Sequence, residues 1–414
     1  MSDTTSTAEA ERKAGWRTLP RNVWVLSATS FLTDVSSEMI LNLLPLFLAN
    51  VLGVKTDIIG LIEGIAETTA SLLKVFSGWF SDRLGKRKVL AVLGYGLSTV
   101  AKPFFYFANS WPVVLAVRFT DRVGKGIRTA PRDALIADSI DEHHRGVAFG
   151  LHRAGDTAGA FLGLLIATVV VWATQRAMLT LERHTFQMVV LFSIIPAALA
   201  VLILALGAQD IPARIRAARP PALTLRGFDA SFKAFLFIVV LFTLGNSSDA
   251  FLILRGQERG LSVLGVMGML LTFNLVYSLV SGPAGALSDR IGRQRLIVGG
   301  WLVYGLIYLG FALAQVSWQV WALYGLYGVY YGMFEGTARA LVADIVPPER
   351  RGTAYGVYHT AVGLAAFPAS FIAGVLWRVF SPAAPFAFGA ALALMATLLM
   401  RFWFPRLRRT KARG

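Results

Sequence analysis

Long apolar stretches separated by short polar loops recur along the whole chain. Those at 88–108, 186–207 and 295–315 are each long enough to cross the hydrocarbon core of a bilayer as a helix, which takes roughly 20 residues. Counting along the chain gives about twelve such stretches. Unpaired backbone groups find no water inside a bilayer, so segments of this kind span it as helices. The pattern therefore predicts an all-α integral membrane protein.

Composition agrees with this prediction. Hydrophobic residues make up 55% of the 414 residues and charged residues only 15%, whereas soluble domains carry about 25% charged residues. The sequence contains no cysteine, which excludes disulfides, thiolate chemistry and iron–sulfur clusters within it.

Positive charge is concentrated in alternate loops. The chain has 40 Lys and Arg against 24 Asp and Glu, a formal net charge of +16. Basic clusters precede the first span, follow the second, occupy the central loop and close the chain. The positive-inside rule then places both termini in the cytosol and the protein in the inner (plasma) membrane. Anionic lipid headgroups, rather than nucleic acid, are the expected counter-ions.

A short motif at the end of the second apolar stretch occurs twice. The first copy reads GWFSDRLGKRK from Gly78, and the second reads GALSDRIGRQR from Gly285, 207 positions downstream. Two further pairs of segments repeat at a spacing of 206: ALIAD and ALVAD from Ala134 and Ala340, and RGVAFG and RGTAYG from Arg145 and Arg351. The chain is therefore built from two similar halves that run in parallel.

The repeats set the expected domain boundaries. We expect a disordered cytosolic tail at 1–20, a six-helix bundle at 21–207, a cytosolic linker at 208–232, a second six-helix bundle at 233–405 and a basic cytosolic tail at 406–414. Three prolines in the central linker discourage a long helix there.

Both copies of the motif closely match the pattern G-x-x-x-D-R-x-G-R-K/R, with Lys86 in place of its arginine in the first copy and Gln294 in place of its last basic residue in the second. By this motif the chain resembles the major facilitator superfamily of secondary transporters from about residue 20 to 405. The resemblance implies twelve transmembrane helices in two parallel six-helix repeats. It also implies a substrate site between the halves near the bilayer midplane, with alternating access by rocking of one half on the other.

The resemblance also assigns a role to the motif residues. They are expected to latch the cytosolic helix ends together in the outward-open state, with the glycines permitting the tight turn and crossing. The residues concerned are Gly78, Asp82, Arg83 and Gly85 in the first copy, Gly285, Asp289, Arg290 and Gly292 in the second, and Asp138, Arg145, Asp344 and Arg351 as their partners.

Charged residues inside the predicted spans are the candidates for the substrate cavity and for proton coupling, because an ionisable group in a bilayer is costly unless it is paired or hydrated. They are Asp34, Glu38, Arg118, Asp121, Arg122, Arg153, Asp156, Asp249, Glu335 and Arg339.

Asp34 and Glu38 are four residues apart and therefore lie on one helix face. Burial favours the neutral form of a carboxyl group and a nearby arginine favours the charged form. We therefore expect these two acids to carry protons, with Arg118 and Arg122 as their switchable partners. The alternative for the fourth-span charges is a purely structural ion-pair network. Glu63 and Glu67 are expected to pair with Lys74.

The sequence thus predicts a proton-coupled transporter that moves a small molecule by alternating access, with export favoured. The alternative is uptake or exchange of an organic anion clamped by the fourth-span arginines, and a non-transporting receptor is less favoured. No phosphate-binding loop or H-E-x-x-H motif is present, so neither an ATP-driven pump nor an enzyme is expected. We expect a monomer with no cofactor or metal, driven by the proton gradient.

Overall fold

The computed structural model describes residues 19–141, 144–176, 178–211, 224–347 and 350–404, apart from the side chains of Ala286, Asp289 and Glu335. The expected disordered tail at 1–20, the basic tail and most of the linker thus lie largely outside the described residues. Within the described ranges the chain is helical and contains no strand. This confirms the prediction of an all-α protein.

Six long helices form the first half. They are α1 (Arg21–Leu41), α2 (Thr56–Leu84), α3 (Arg87–Ala101), α4 (Trp111–Asp138), α5 (Arg145–Gln175) and α6 (Arg183–Gly207). A one-turn helix, Leu44–Leu46, and a π-helical turn, Phe47–Val51, extend α1, and a 3₁₀ turn, Lys102–Phe105, follows α3.

The second half repeats this order with one break. Its helices are α7 (Ala230–Gly245), α8 (Ala250–Glu258), α9 (Val263–Ile291), α10 (Arg293–Leu313), α11 (Ser317–Ile345), α12 (Arg351–Val379) and α13 (Ala384–Leu398). A π-helical turn, Leu399–Trp403, extends α13. Here α7 and α8 together occupy the place that α1 and its extension occupy in the first half.

Within the described part of the chain, eight helices or helix runs are long and apolar enough to cross a membrane by length and composition. Helices α2 and α4 are not among them, because they carry most of the charged residues of the interior. The count of twelve spans stays a prediction.

The duplicated motif ends a helix in the same way in both halves. Gly85 closes α2 and Gly292 closes α9, with φ of 63° and 92° respectively, a region that favours glycine. Their N–H groups donate to the carbonyl oxygens of Ser81 and Ser288, at 3.0 and 3.1 Å. The last glycine of each motif copy is therefore required by the backbone at the helix end.

Helices α1 and α5 approach each other closely through the G-x-x-x-G units of α5. A Cβ added at Gly159 or Gly163 would lie against the carbonyl oxygens of Phe31 and Val35 on α1. Larger residues at these two positions would force the helices apart, so the glycines serve packing between backbones.

The two halves contact each other mainly along α2 and α12, and also along α5 and α9. We call the end of the molecule that carries the two motif copies, 78–88 and 285–295, the motif face, and the other end the opposite face. Thr68 Oγ1 of α2 donates to the carbonyl oxygen of Gly363 on α12 at 2.6 Å. Near the opposite face, Arg378 forms an ion pair with Asp57 at 2.6 Å.

A reciprocal pair of side-chain amides also joins the halves near the opposite face. Asn50 Nδ2 donates to Gln257 Oε1 at 2.9 Å, and Gln257 Nε2 donates to Asn50 Oδ1 at 2.7 Å. Gln257 also donates to the carbonyl oxygen of Leu179, and Asn50 Oδ1 accepts from the N–H of Leu181. The opposite face is therefore closed by contacts between the halves.

At the motif face, equivalent ion pairs form within each half. Arg87 pairs with Asp138, and Arg293 pairs with Asp344 at 2.6 Å. Each arginine also donates to a carbonyl oxygen of the same α4 or α11 end. In this conformation Asp138 thus binds the loop that follows α2, and Asp344 binds the loop that follows α9, each within its own half.

The remaining motif residues also contact their own half in this conformation. Asp82 pairs with Arg87 at 3.2 Å, and the Arg83 guanidinium lies 5.8 Å from the centre of the Trp79 ring. Arg145 and Arg351 donate to the carbonyl oxygens of Ala137 and Ala343. Arg290 is exposed, whereas the Asp289 side chain lies outside the described ones. A latch role in another conformation stays a prediction.

Candidate central cavity

A cavity between the two halves opens on the side of the motif face. Its wider part, the vestibule, has a volume of about 700 Å³ and is lined from α2, α4, α5, α9 and α11. The vestibule-lining residues used below are Lys74, Asp133, His152 and Arg339.

A second part, which we call the chamber, adjoins the vestibule and extends further from the motif face. It has a volume of about 330 Å³ and is lined from α1, α4, α5 and α9. Its lining residues include Asp34, Glu38, Lys125, Arg128, Thr157, Ala160 and Asn274, while Thr129, Arg132, Arg153, Asp156 and Tyr277 line both parts. The chamber lies between the closed opposite face and the vestibule.

Two ion pairs join α2 to α4 beside the cavity. Glu63 pairs with Arg118 at 2.9 Å, and Glu67 pairs with Arg122 at 3.2 Å. The acids are four residues apart on α2 and the arginines four apart on α4, so that neighbouring helices place them as two successive rungs. Glu63 and Arg118 are both buried, with side-chain exposures of 7% and 5%, whereas Glu67 is 46% exposed.

These pairs correct two expectations. Arg118 and Arg122 are partners of Glu63 and Glu67 in this conformation, and not of Asp34 and Glu38. Lys74 is no partner of either glutamate, since it lines the vestibule about two turns from Glu67 and about three turns from Glu63, closer to the motif face. The physical reason is that α2 packs directly along α4, whereas α1 packs chiefly on α5 and α6.

Asp34 and Glu38 project from α1 into the chamber, as the four-residue spacing predicts. Glu38 accepts a hydrogen bond from Asn42 Nδ2 at 2.9 Å. Asp34 makes neither an ion pair nor a side-chain hydrogen bond with any residue that the structure describes. No described side chain is thus close enough to neutralise Asp34 by direct contact.

A polar network behind the chamber ties α1, α3 and α4 together. Lys102 Nζ donates to Ser36 Oγ at 2.6 Å and Ser37 Oγ at 3.1 Å. Arg128 donates to Ser98 Oγ at 2.8 Å, and its guanidinium lies 4.4 Å from the centre of the Tyr95 ring. Asp121 is buried on the same side of α4. Lys102 was missed by sequence reasoning, although it lies inside the apolar stretch 88–108.

Arg153 and Asp156 lie where the vestibule meets the chamber. Arg153 donates across the cavity to the hydroxyl of Tyr277 on α9 at 2.7 Å, so that it joins the two halves. Asp156 Oδ1 is 3.8 Å from Nε2 of His152. Arg339 lines the vestibule, while the Glu335 side chain lies outside those that the structure describes.

Asp249 lies in the C-terminal half, in the break between α7 and α8. It accepts a hydrogen bond from the hydroxyl of Tyr327 at 3.3 Å. The hydroxyl of Tyr304 donates to the carbonyl oxygen of Gly245 at 3.0 Å and stabilises the end of α7. Interrupted helices near the membrane midplane are typical of the binding sites of secondary transporters.

Tyrosines surround this break and form the aromatic cluster, which consists of Tyr304, Tyr308, Tyr324, Tyr327, Tyr330 and Tyr331 with neighbouring phenylalanines. The rings of Tyr304 and Tyr308 stack with centroids 4.0 Å apart, and Tyr327 contacts Tyr304, Tyr308 and Tyr324. Sequence reasoning missed this cluster, although the three- and four-residue spacing of the tyrosines is a signal for one helix face.

Among the residues that the structure describes, no three His, Asp or Glu side chains come together in an arrangement suited to a metal ion. The chemistry of the cavity is therefore that of its own carboxylates, cations and tyrosine hydroxyls.

Comparison with known proteins gives a consistent result. The sequence model of the Major Facilitator Superfamily matches residues 26–271 and 230–414. An uncharacterised MFS-type transporter of Methanocaldococcus jannaschii is 36% identical over 392 residues, covering 93% of this chain and 96% of the relative. The multidrug resistance protein MdtG of Enterobacter lignolyticus is 25% identical and covers 72% of each chain.

Among solved structures, the nucleoside transporter NupG superposes with a TM-score of 0.75 at 13% identity, covering 93% of this chain and 99% of NupG. Identity this low shows a shared fold only.

Proposed function

The chain belongs to the major facilitator superfamily of membrane transporters, and we propose that it exports a small molecule in exchange for protons by alternating access between its halves. In this proposal the motif face is cytosolic, the proton gradient supplies the energy and no cofactor takes part. The observation that carries the proposal is that Asp34 and Glu38 lie on one face of α1 and line the chamber between the halves.

The contacts between the halves support alternating access. The opposite face is closed by the Asn50–Gln257 amide pair and the Asp57–Arg378 ion pair, while the vestibule lies on the side of the motif face. One closed and one accessible side is the arrangement of a single end state of a rocking cycle. Opening the other side requires these contacts to break and the vestibule to close.

The surroundings of Asp34 support proton coupling. A carboxyl group held away from water favours its neutral form, and the approach of a cation favours its charged form. Asp34 has no fixed ion-pair partner among the described residues, so its protonation responds to what occupies the chamber. A proton and a cationic group of the substrate would compete for it, which couples the two in opposite directions.

The direction of transport rests on a different support. MdtG is named as a multidrug resistance protein, which favours export for this chain as well. Uptake of an organic anion by the fourth-helix arginines has less support, because Arg118 and Arg122 are already paired with Glu63 and Glu67. An arginine clamp would have to break those pairs in order to bind an anion.

The test uses purified protein in liposomes that contain a pH-sensitive dye, with a panel of cationic drugs, organic anions, amino acids and sugars under an imposed pH gradient. We expect substrate-dependent proton flux in the wild type and its loss in Asp34→Asn. The control is Glu182→Gln, which removes an exposed carboxylate at the start of α6, far from the cavity.

Transport that proceeds without proton movement and survives Asp34→Asn would contradict the proposal. It would make Asp34 a structural residue and favour a sodium-coupled or uncoupled carrier.

A further inference from the structure

Two opposite charges in the chamber have no ion-pair or hydrogen-bond partner among the described residues. Asp34 on α1 and Lys125 on α4 both line it, and neither makes an ion pair or a side-chain hydrogen bond with another described residue. They do not pair with each other either. Both belong to the N-terminal half, so their separation is set by the packing of that half and not by the rocking motion.

Most of the other charged side chains of the chamber have a partner. Glu38 accepts from Asn42, Arg128 donates to Ser98 and Arg153 donates to Tyr277. Arg132 pairs with Asp133 at 2.8 Å, whereas Asp156 Oδ1 lies 3.8 Å from His152 Nε2 and makes no hydrogen bond to a described residue. Among the described residues of the chamber, Lys125 is therefore the cation left for a ligand, and Asp34 is the acid with neither a hydrogen bond nor a basic side chain within ion-pair distance.

Unpaired charges within a membrane protein are costly, and they are retained where a substrate or an ion satisfies them. A cation alone would satisfy Asp34 and leave Lys125 unpaired, and an anion alone would do the reverse. A molecule that carries both charges satisfies both side chains at once. Of the described residues, those that the C-terminal half contributes to the chamber are Asn274 and Tyr277 of α9, and both are neutral.

We propose that the substrate is a small zwitterion, whose cationic group binds Asp34 and whose anionic group binds Lys125. The chamber volume of about 330 Å³ suits a molecule of amino-acid size. This assignment rests on the proposed function, because it names the substrate class of the same cavity. It adds that the N-terminal half holds both charges of the substrate throughout the cycle, while the C-terminal half moves past it.

The test compares ligands that share a skeleton and differ only in charge. One set is phenylalanine, phenethylamine and 3-phenylpropionate, and a second is leucine, 3-methylbutylamine and 4-methylpentanoate. Binding to the purified full-length protein is measured by calorimetry at millimolar ligand. We expect at least one amino acid to bind about 10- to 100-fold more tightly than both its amine and its acid, the loss typical of a missing charged contact.

Variants then assign each charge. In Lys125→Met the preference for the amino acid over the amine should fall close to one, while its preference over the carboxylic acid persists. In Asp34→Asn the opposite pattern is expected. These ratios compare ligands on the same protein, so a general loss of stability does not produce them. The matched control is Lys74→Met, which removes a vestibule lysine outside the chamber that makes no ion pair or side-chain hydrogen bond with a described residue, and it should leave both ratios unchanged.

Binding of the amines or the acids as tightly as the amino acids, or no binding of either amino acid, would overturn the assignment. The assignment would also be overturned if Lys74→Met abolished the preference for the amino acid over the amine and Lys125→Met kept it. A separate result, the absence of substrate-coupled proton flux in liposomes, would contradict the proposed function. A carrier that prefers zwitterions but moves no protons would keep this inference and remove proton coupling.

Discussion

The two halves share one plan but line the cavity with different chemistry. At the spacing of 206 that relates α4 to α11, Arg118, Asp121 and Lys125 correspond to Tyr324, Tyr327 and Tyr331. Charged side chains in one half thus occupy the positions of tyrosines in the other.

On α2 and α9, charged residues of the N-terminal half are also replaced by uncharged ones in the C-terminal half. Glu63 and Glu67 of α2 correspond, at the motif spacing of 207, to Leu270 and Asn274 of α9. Both members of the Glu63–Arg118 pair are therefore replaced in the second half, by a leucine and a tyrosine. The N-terminal half thus has ion pairs at positions where the C-terminal half has aromatic packing and hydroxyl hydrogen bonds.

The largest effect is expected from breaking the buried ion pair between Glu63 and Arg118 in the N-terminal half. Glu63→Leu leaves Arg118 buried without its partner and should lower the free energy of unfolding by about 3–5 kcal/mol. Adding Arg118→Tyr copies the C-terminal pattern of Leu270 and Tyr324 and should recover most of the loss. Thermal or denaturant unfolding in detergent measures both variants.

The control for that experiment is Glu67→Gln, because Glu67 is 46% exposed and its pair with Arg122 is partly hydrated. Its cost should be clearly smaller. An equal cost for Glu63→Leu and Glu67→Gln would show that burial does not make the Glu63–Arg118 pair more important for stability than the Glu67–Arg122 pair. The energetic contrast drawn between the two halves would then be wrong.

A smaller effect is expected in the aromatic cluster. Tyr327→Phe keeps the ring packing and removes the hydroxyl that donates to Asp249 and Asn246, which should cost about 0.5–1.5 kcal/mol of stability. Tyr324→Phe is the matched control, since its hydroxyl has no side-chain hydrogen bond to a described residue. Equal losses of stability in the two variants would mean that the hydroxyl contacts of Tyr327 with Asp249 and Asn246 contribute nothing.

The smallest effect is expected where the halves remained alike. Arg293→Ala removes the ion pair with Asp344, and Arg87→Ala removes the pairs with Asp138 and Asp82; all three carboxylates, at the motif face, are partly exposed. Each should cost about 0–1 kcal/mol, the usual range for exposed pairs. Parallel unfolding measurements check this, and a loss confined to one half would show that the two loops are not equivalent.

Periodicity and repetition predicted the helical fold well, because long apolar runs in a bilayer admit few alternatives. The spacing of Asp34 and Glu38 also predicted that they share a face, which the chamber confirms geometrically. Spacing within a helix does not tell which helix lies beside it. For this reason Arg118 was assigned to Asp34, when α2 and Glu63 are its neighbours.

The aromatic cluster was missed for a related reason. A tyrosine carries no charge and fits an apolar span, so Tyr304, Tyr308 and Tyr327 read as ordinary core residues until the break beside Asp249 places their hydroxyls. Aligning the halves position by position would have exposed the exchange of charges for tyrosines.

The amide pair at the opposite face has a consequence of its own. Asn50 and Gln257 are 207 positions apart, the spacing of the duplicated motif, so each is the copy of the other. A residue that meets its own copy lies on the pseudo-twofold axis, as in a symmetric dimer. Both hydrogen bonds use the same two side chains, and separation of the halves at this point breaks them together. The two hydrogen bonds of this amide pair are therefore expected to form and break together when the halves close or separate at the opposite face.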